Sequence, residues 1–431
     1  MLLHRIGRRV SSASRASSSP VASFSSLFPL SPCQTTARAA RQTNWSIIAT
    51  CRRHAHSSSL SIDDEYHSHT HASATSDTFQ VPGTFALESS ESLVAPVIAY
   101  TTYGSLNAAR DNVIVVCHAL TGHSLVHHYW DALVTSEWTR KYFVVCCNVV
   151  GSCYGSTGPT SMNPLTGRPY GPDFPAVTIR DAVALQRRLL QEKLGVRQVR
   201  TVVGGSLGGM QTLEWMFQGR EFVQSVVAIA CGAQHSAWQI GMSELQRQAI
   251  YLDPHFGNGY YQSDARPEAG LALARRIAMV SYRSHAAYNE KFGRSREHVE
   301  ANDTDPKTTT TGASKDGRFL VQSYLDYQGA KFLARFDVNS YLTLLHMMDS
   351  HDVGRDRGGV AKALASVSQP ALVIGIDSDV LYPLCEQQQL AKGLPNAQFI
   401  TLSSLHGHDG FLLGQKEISE HIKRFLAEHV E

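Results

Sequence analysis

The stretch Gly204-Gly205-Ser206-Leu207-Gly208-Gly209 carries the pattern G-x-S-x-G. Before it, Val199-Arg200-Thr201-Val202-Val203 is β-branched and suits a buried strand. After it, Met210 to Phe217 is made of good helix formers. A strand, a tight glycine turn and a helix are the context a nucleophile elbow needs. The turn lifts the serine hydroxyl above the sheet. The helix start aims free N–H groups at any oxyanion formed there. Five residues with three fixed carry little alone, so the flanking elements and the partners decide.

A serine hydroxyl needs a base to take its proton, and the base needs an orienting carboxylate. In a sheet of this kind the partners follow in the order Ser, acid, His. Asp379 lies just past the apolar run Ala371 to Ile376, and His408 just past Gln398 to Leu402. Both positions are loops at the carboxyl ends of strands, where open α/β sheets keep their sites. Asp377 competes with Asp379, and His406 with His408; position alone leaves both pairs open. The oxyanion donors are expected from Leu207 and from the loop His118-Ala119-Leu120-Thr121, through Leu120 or Ala119. His118 itself reads as structural, because it precedes the nucleophile.

These groups must be held by a frame, and the apolar pattern supplies one. Phe85 to Leu87 and Leu93 to Tyr100 read as an antiparallel edge pair. Val113 to Cys117, Tyr142 to Cys147 and Val226 to Ala230 are continuous apolar runs, as in strands covered on both faces. Thr178 with Asp181 forms a capping signal before a helix. The Gly/Pro/Ser-rich loop Gly151 to Pro175 is too long for a connector, so it is expected to line a site. Strands alternating with helices imply a mostly parallel sheet with helices on both faces. Residues 232–365 break the alternation with helical patterns, Glu244 to Leu252 and Ala269 to Ser281, and a polar tract, Asn302 to Lys315. The expected division is residues 1–62 as transit peptide or disordered, 63–78 as linker, 79–231 with 366–431 as core, and 232–365 as a helical lid.

The chain has 431 residues, 43% hydrophobic and 18% charged, enough for one large core with an insertion. Residues 1–62 hold eight arginines, many serines and no acid, the pattern of an organelle transit peptide. The expected destination is the mitochondrial matrix, with a plastid or the cytoplasm as alternatives. Without those arginines the chain is mildly acidic, so no nucleic-acid surface is implied. No C-x-x-C and no apolar run long enough to span a membrane occur. Cys117, Cys146, Cys147 and Cys231 lie in apolar runs and read as small hydrophobes. His67, His69 and His71 read as a solvated polar tail rather than a metal site.

Several longer motifs occur together: Cys117-His118-Ala119-Leu120-Thr121-Gly122, Gly151 to Pro159, Tyr170 to Pro175 leading to Thr178-Ile179-Arg180-Asp181, the elbow Gly205 to Met210, and Gly407-His408-Asp409-Gly410-Phe411-Leu412. Together, over about residues 79–428, they resemble the homoserine O-acetyltransferases. The resemblance implies an α/β-hydrolase fold with Ser206 as nucleophile, Asp379 as acid and His408 as base. It selects these over Asp377 and His406. It further implies that Arg275 holds the amino acid's carboxylate, that Tyr282 lies nearby, and that Asp409 holds the amino group. Spacing alone would place Arg275 on a solvated helix face. Leu207 stands where many members carry Met, a volume-conserving difference. The N-terminal extension and the Thr304 to Lys315 tract are additions to the family's pattern.

The activity so implied moves an acetyl group from acetyl-CoA to the side-chain hydroxyl of L-homoserine through an acyl-serine intermediate, in methionine biosynthesis. Succinyl-CoA is the alternative donor and L-serine the alternative acceptor, the latter serving cysteine biosynthesis. An esterase or thioesterase, and a non-catalytic hydrolase-fold binding protein, are further alternatives. No bound cofactor and no metal are expected, only small-molecule substrates. The resemblance implies a homodimer built through lid helices.

Overall fold

The computed structural model describes residues 74–297 and 317–429. The expected transit segment, the histidines at 67, 69 and 71 and the Asn302 to Lys315 tract lie outside them. The strands are β1 (Ala74–Gln80), β2 (Thr84–Ala86), β3 (Ser92–Val94), β4 (Val97–Tyr103), β5 (Val113–Cys117), β6 (Phe143–Cys147), β7 (Met162–Asn163), β8 (Arg168–Pro169), β9 (Val199–Gly205), β10 (Val226–Ile229), β11 (Ala371–Ile376) and β12 (Ala397–Leu402). Eight of them form one sheet in the order β1-β4-β6-β5-β9-β10-β11-β12. β4 runs antiparallel to β1 and to β6, and every other neighbouring pair in this sheet is parallel.

The edge differs from the expected pairing. Leu93 to Tyr100 is not one strand. Ala95 takes a left-handed φ of 47° and Pro96 has no N–H to donate, so the ladder breaks there. β3 turns back onto β2 as a separate hairpin. β4 enters the main sheet, where its edge partner is β1. Most of β1 falls in the segment expected to be linker. It is polar and exposed, and backbone pairing rather than burial makes it a strand, so hydropathy gave no signal.

The buried strands follow their composition. Along β5, Val113, Val115 and Cys117 pack into the cluster on one side of the sheet, and Ile114 and Val116 into the cluster on the other. Both faces are therefore covered. Helix α1 (Ile179–Arg188) starts at a complete capping box: the Asp181 N–H donates to the Thr178 hydroxyl, and the Thr178 N–H to the Asp181 carboxylate. Helix α2 (Leu207–Met216) follows β9 and is buried along its whole length.

After β10 the chain leaves the sheet and returns at β11. Between them lie α3 (Ala237–Tyr251), α4 (Glu268–Tyr282), α5 (His285–Phe292), α6 (Leu320–Leu333), α7 (Val338–Asp349) and α8 (Val360–Ala365). The two ends of this insertion are laced together: His235 N–H donates to His351 O at 2.9 Å, and Val353 N–H to Ala233 O at 3.0 Å. Helices α9 (Leu384–Gly393) and α10 (Gln415–His429) complete the core.

The β9–α2 turn is closely packed. A Cβ on Gly208 would lie 2.0 Å from Cys117 O, one on Gly204 2.2 Å from Gly208 O, and one on Gly209 2.5 Å from Cys231 Sγ. The first two obstacles are backbone, which cannot swing aside. Gly208→Ala is therefore expected to lower unfolding free energy by ~2 kcal/mol or more, read from urea denaturation. Wild-type stability in that variant would show that the turn has slack.

Candidate active site

Ser206 sits at φ 57° and ψ −124°, a backbone conformation that L side chains rarely adopt. Its N–H donates to Ile229 O at 3.0 Å, which ties the turn to β10. The first helical turn of α2 closes from Met210 N–H onto Ser206 O. The N–H of Leu207 thus precedes the first intrahelical bond and is open to an oxyanion.

Asp379 and His408 meet as a buried pair, Oδ2 to Nδ1 at 2.8 Å. The other carboxylate oxygen accepts from the N–H groups of Leu381 and Tyr382, both at 2.9 Å. Asp379 is thereby locked, and Nε2 is the imidazole nitrogen left for a proton in transit. Three rings fix the plane of His408: Tyr382 nearly parallel at 5.1 Å, Phe411 at 5.3 Å and Tyr282 at 5.9 Å. Phe411 also fills the space beside the nucleophile, because a Cβ on Gly205 would strike its ring at 2.6 Å. One phenyl group thus packs against both the His408 ring and the turn that carries Ser206.

The competing residues have other tasks. Asp377 accepts from the Ser403 hydroxyl and the Ser404 N–H, which hold its carboxyl below the usual range and join the loops after β11 and β12. His406 is half-buried, and its N–H donates to the Ser404 hydroxyl.

The loop after β5 lies against the Ser206 turn, since a Cβ on Gly208 would run into the carbonyls of Cys117 and His118. Leu120 lines one cleft with Ser206. His118 is structural, as expected. Val149 N–H donates to its Nε2 at 3.1 Å, so that nitrogen is unprotonated, and Nδ1–H donates to Ala119 O at 2.8 Å. Burial pushes its pKa down to about 4 and keeps the ring neutral.

The wall of this cleft includes Leu120, Ser206, His235, Ser243, Tyr282 and Leu381. Arg275, on α4, is half-buried, with its guanidinium 5.2 Å from the Phe332 ring and 5.9 Å from the Tyr282 ring. Its Nε is buried without a hydrogen-bond partner. Such an orphan donor suits an incoming carboxylate. The Asp409 carboxylate already faces a cation: Arg283 Nε lies 2.8 Å away.

Three contributors escaped the sequence reading. His235 lines the same cleft, and its Nδ1 lies 3.0 Å from Asp349 Oδ1. Burial pushes the Asp349 carboxyl up, but the His235 hydrogen bond and the Arg247 charge outweigh it and hold it low. Arg335 donates to Thr121 O at 2.8 Å and to the Tyr154 hydroxyl at 3.0 Å, tying the lid to the oxyanion loop and the Gly151 to Pro175 loop. Arg283 is the third. The only signal for His235 was its place just past β10, at the carboxyl end of a strand. Among the described residues no group of three or more His, Cys, Asp or Glu is placed to hold a metal. Among them, too, no helix is long and apolar enough to cross a membrane.

The alpha/beta hydrolase fold family model matches residues 112–414. The chain is 46% identical to the homoserine O-acetyltransferase of Nostoc punctiforme over 354 residues, covering 80% of this chain and 94% of that protein. The chain belongs to the homoserine O-acetyltransferase family. It is also 46% identical to the homoserine O-acetyltransferase of Salinibacter ruber, covering 82% of this chain and 97% of that one. Among solved structures, esterase E22 aligns with a TM-score of 0.72 at 25% identity, over 82% of this chain and all of that one. The family's frame thus also occurs in a protein named as an esterase, so the acceptor must be argued from the cleft.

Neutral His118 makes a pH prediction. Its folded pKa lies below the unfolded value near ~6.5, so the unfolded chain binds more protons. The stability it contributes is complete above the unfolded pKa. It is lost as pH falls from there toward 4. Denaturant unfolding at pH 7 and pH 5 should show a smaller loss in His118→Gln than in wild type. Equal losses would mean that His118 does not carry this dependence.

Proposed function

We propose that this protein transfers an acetyl group from acetyl-CoA to the side-chain hydroxyl of L-homoserine, in two steps through an acetylated Ser206. His408 Nε2 takes the proton from Ser206 Oγ, which attacks the thioester carbonyl. The N–H groups of Leu207 and of Leu120 or Ala119 hold the oxyanion. The C–S bond breaks, and the thiolate of CoA leaves with the proton from His408. In the second step His408 deprotonates the acceptor hydroxyl, whose oxygen attacks the acetyl carbonyl, and Ser206 Oγ leaves and recovers the proton.

The observation that carries the reading beyond a hydrolase is Arg275. A half-buried guanidinium with an unpartnered Nε lies beside Tyr282, which lines the cleft of the nucleophile. Water needs no such group, whereas an amino acid's carboxylate does. The covering helices serve the same end, because bulk water would otherwise hydrolyse the acyl-serine. The curated relatives' names supply the acceptor, homoserine, and the place in methionine biosynthesis follows from that product's use.

The deciding experiment follows CoA thiol release from acetyl-CoA with homoserine, with serine and with no acceptor. Release several-fold faster with homoserine, matched by O-acetylhomoserine, is the expected outcome. Equal release in all three would make the protein a thioesterase. Ser206→Ala should abolish the reaction. Asp379→Asn should lower kcat by about 10³–10⁴-fold, as loss of the orienting acid does in serine hydrolases.

The lid supports a homodimer. Leu245 and Leu252, and on the neighbouring α4 Leu273 and Val280, repeat every seven residues and are exposed, as is Trp238. Such stripes on packed helices mark an association face. Sedimentation should give a dimer for wild type and a monomer for Leu245→Glu/Val280→Glu; a wild-type monomer would end this proposal.

A further inference from the structure

The end of α4 lies on the loop that carries the base. Tyr282 faces the His408 ring, and the Ser284 hydroxyl donates to Leu405 O. Gly407 has φ +64°, and a Cβ there would lie 2.7 Å from Ser284 N. The lid chain and the catalytic loop therefore touch backbone to backbone. Between these contacts Arg283 reaches Asp409.

The two side chains are only 10% and 14% exposed. Charges so far from water need compensation. Yet Arg283 Nε–H is not aimed at an acceptor, although it lies 2.8 Å from Asp409 Oδ2. The guanidinium meets the carboxylate as a charge, not as a directed donor. Asp409 accepts no directed hydrogen bond from another described side chain, so its lone pairs remain for a further donor. Across Tyr282 stands the other guanidinium. Burial raises the pKa of the Tyr282 hydroxyl; Arg275 opposes this and Asp409 adds to it. A cation and an anion thus both stand close to one cleft-lining tyrosine, the complement of a zwitterion.

We propose that Arg283 is a positioning residue for the acceptor: it balances and orients Asp409 so that this carboxylate receives the α-ammonium group of the amino acid. The proposal rests on the amino-acid-acceptor reading above. Before the acceptor binds, Arg283 is, among the described residues, the cation paired with Asp409. When it binds, ammonium and guanidinium share the carboxylate while Arg275 takes the substrate's carboxylate. Arg283 touches neither the acyl group nor the hydroxyl. Its effect therefore belongs to the second half-reaction and to acceptors that carry an amine.

The test compares homoserine with 4-hydroxybutyrate, which keeps the carboxylate and hydroxyl but lacks the amine. Both are used as acceptors with wild type, Arg283→Gln and Arg283→Lys. Wild type should prefer homoserine strongly. In Arg283→Gln the kcat/KM for homoserine should fall by about tenfold or more, chiefly through KM, while that for 4-hydroxybutyrate changes much less. The preference should shrink accordingly, and Arg283→Lys should restore part of it. Thermal melting and CoA release without acceptor report on folding and on the first half-reaction. If both acceptors lose the same factor, Arg283 is merely structural and the proposal is wrong. An unchanged homoserine KM overturns it too. If wild type itself transfers to neither acceptor, or shows no preference for the amine, the failure lies in the amino-acid reading, and the proposal falls with it.

Discussion

The catalytic frame depends on one close approach. Where β9 turns into α2, Gly208 lies against the carbonyl of Cys117 with no room for a methyl group. That contact sets the distance between the nucleophile's helix and the oxyanion loop. At the same turn Ser206 takes a rarely populated backbone conformation, with its N–H bound to β10. The same turn lays Gly205 against Phe411. The Ser206 turn, the loop after β5 and Phe411, which packs on the His408 ring, thereby meet at one packing junction.

The electrostatics follow from who is partnered in the resting protein. Asp379 is fully committed, to two backbone N–H groups on one oxygen and to His408 on the other. It orients the ring and has no freedom for another task. Asp377 is equally committed, but to serines. Arg275 keeps an unsatisfied buried donor. Buried polar groups are normally satisfied, so an exception beside the nucleophile's cleft is informative about what enters it.

The lid is part of the site rather than a cover laid over it. Its helix α4 carries both Arg275 and Tyr282, and its stalk carries His235, which lines the cleft against Asp349. Arg335 reaches down to Thr121 on the oxyanion loop. The helical insertion and the core therefore share hydrogen bonds beside Ser206.

Much of this was legible along the chain. The continuous apolar runs gave the buried strands, because a strand covered on both faces admits few polar residues. The capping box at Thr178 and Asp181 is local, so it could be read directly. The elbow's glycines were legible for the same reason. The edge strand β1 was not, since its stability comes from hydrogen bonds to β4 and leaves no hydropathy trace. Nor did position choose between Asp377 and Asp379, or between His406 and His408; resemblance selected, and the 2.8 Å pair between Asp379 and His408 supplies the physical reason. His235 with Asp349, and Arg283 with Asp409, are separated by 114 and 126 residues. No local pattern encodes such pairs. By itself the sequence determined the buried strands, the tight turn at Ser206 and the family, because these rest on local composition and spacing. Only the tertiary structure decided which charges are already partnered and which are left open to a substrate, because that depends on distances between segments that meet only when the lid folds back onto the sheet.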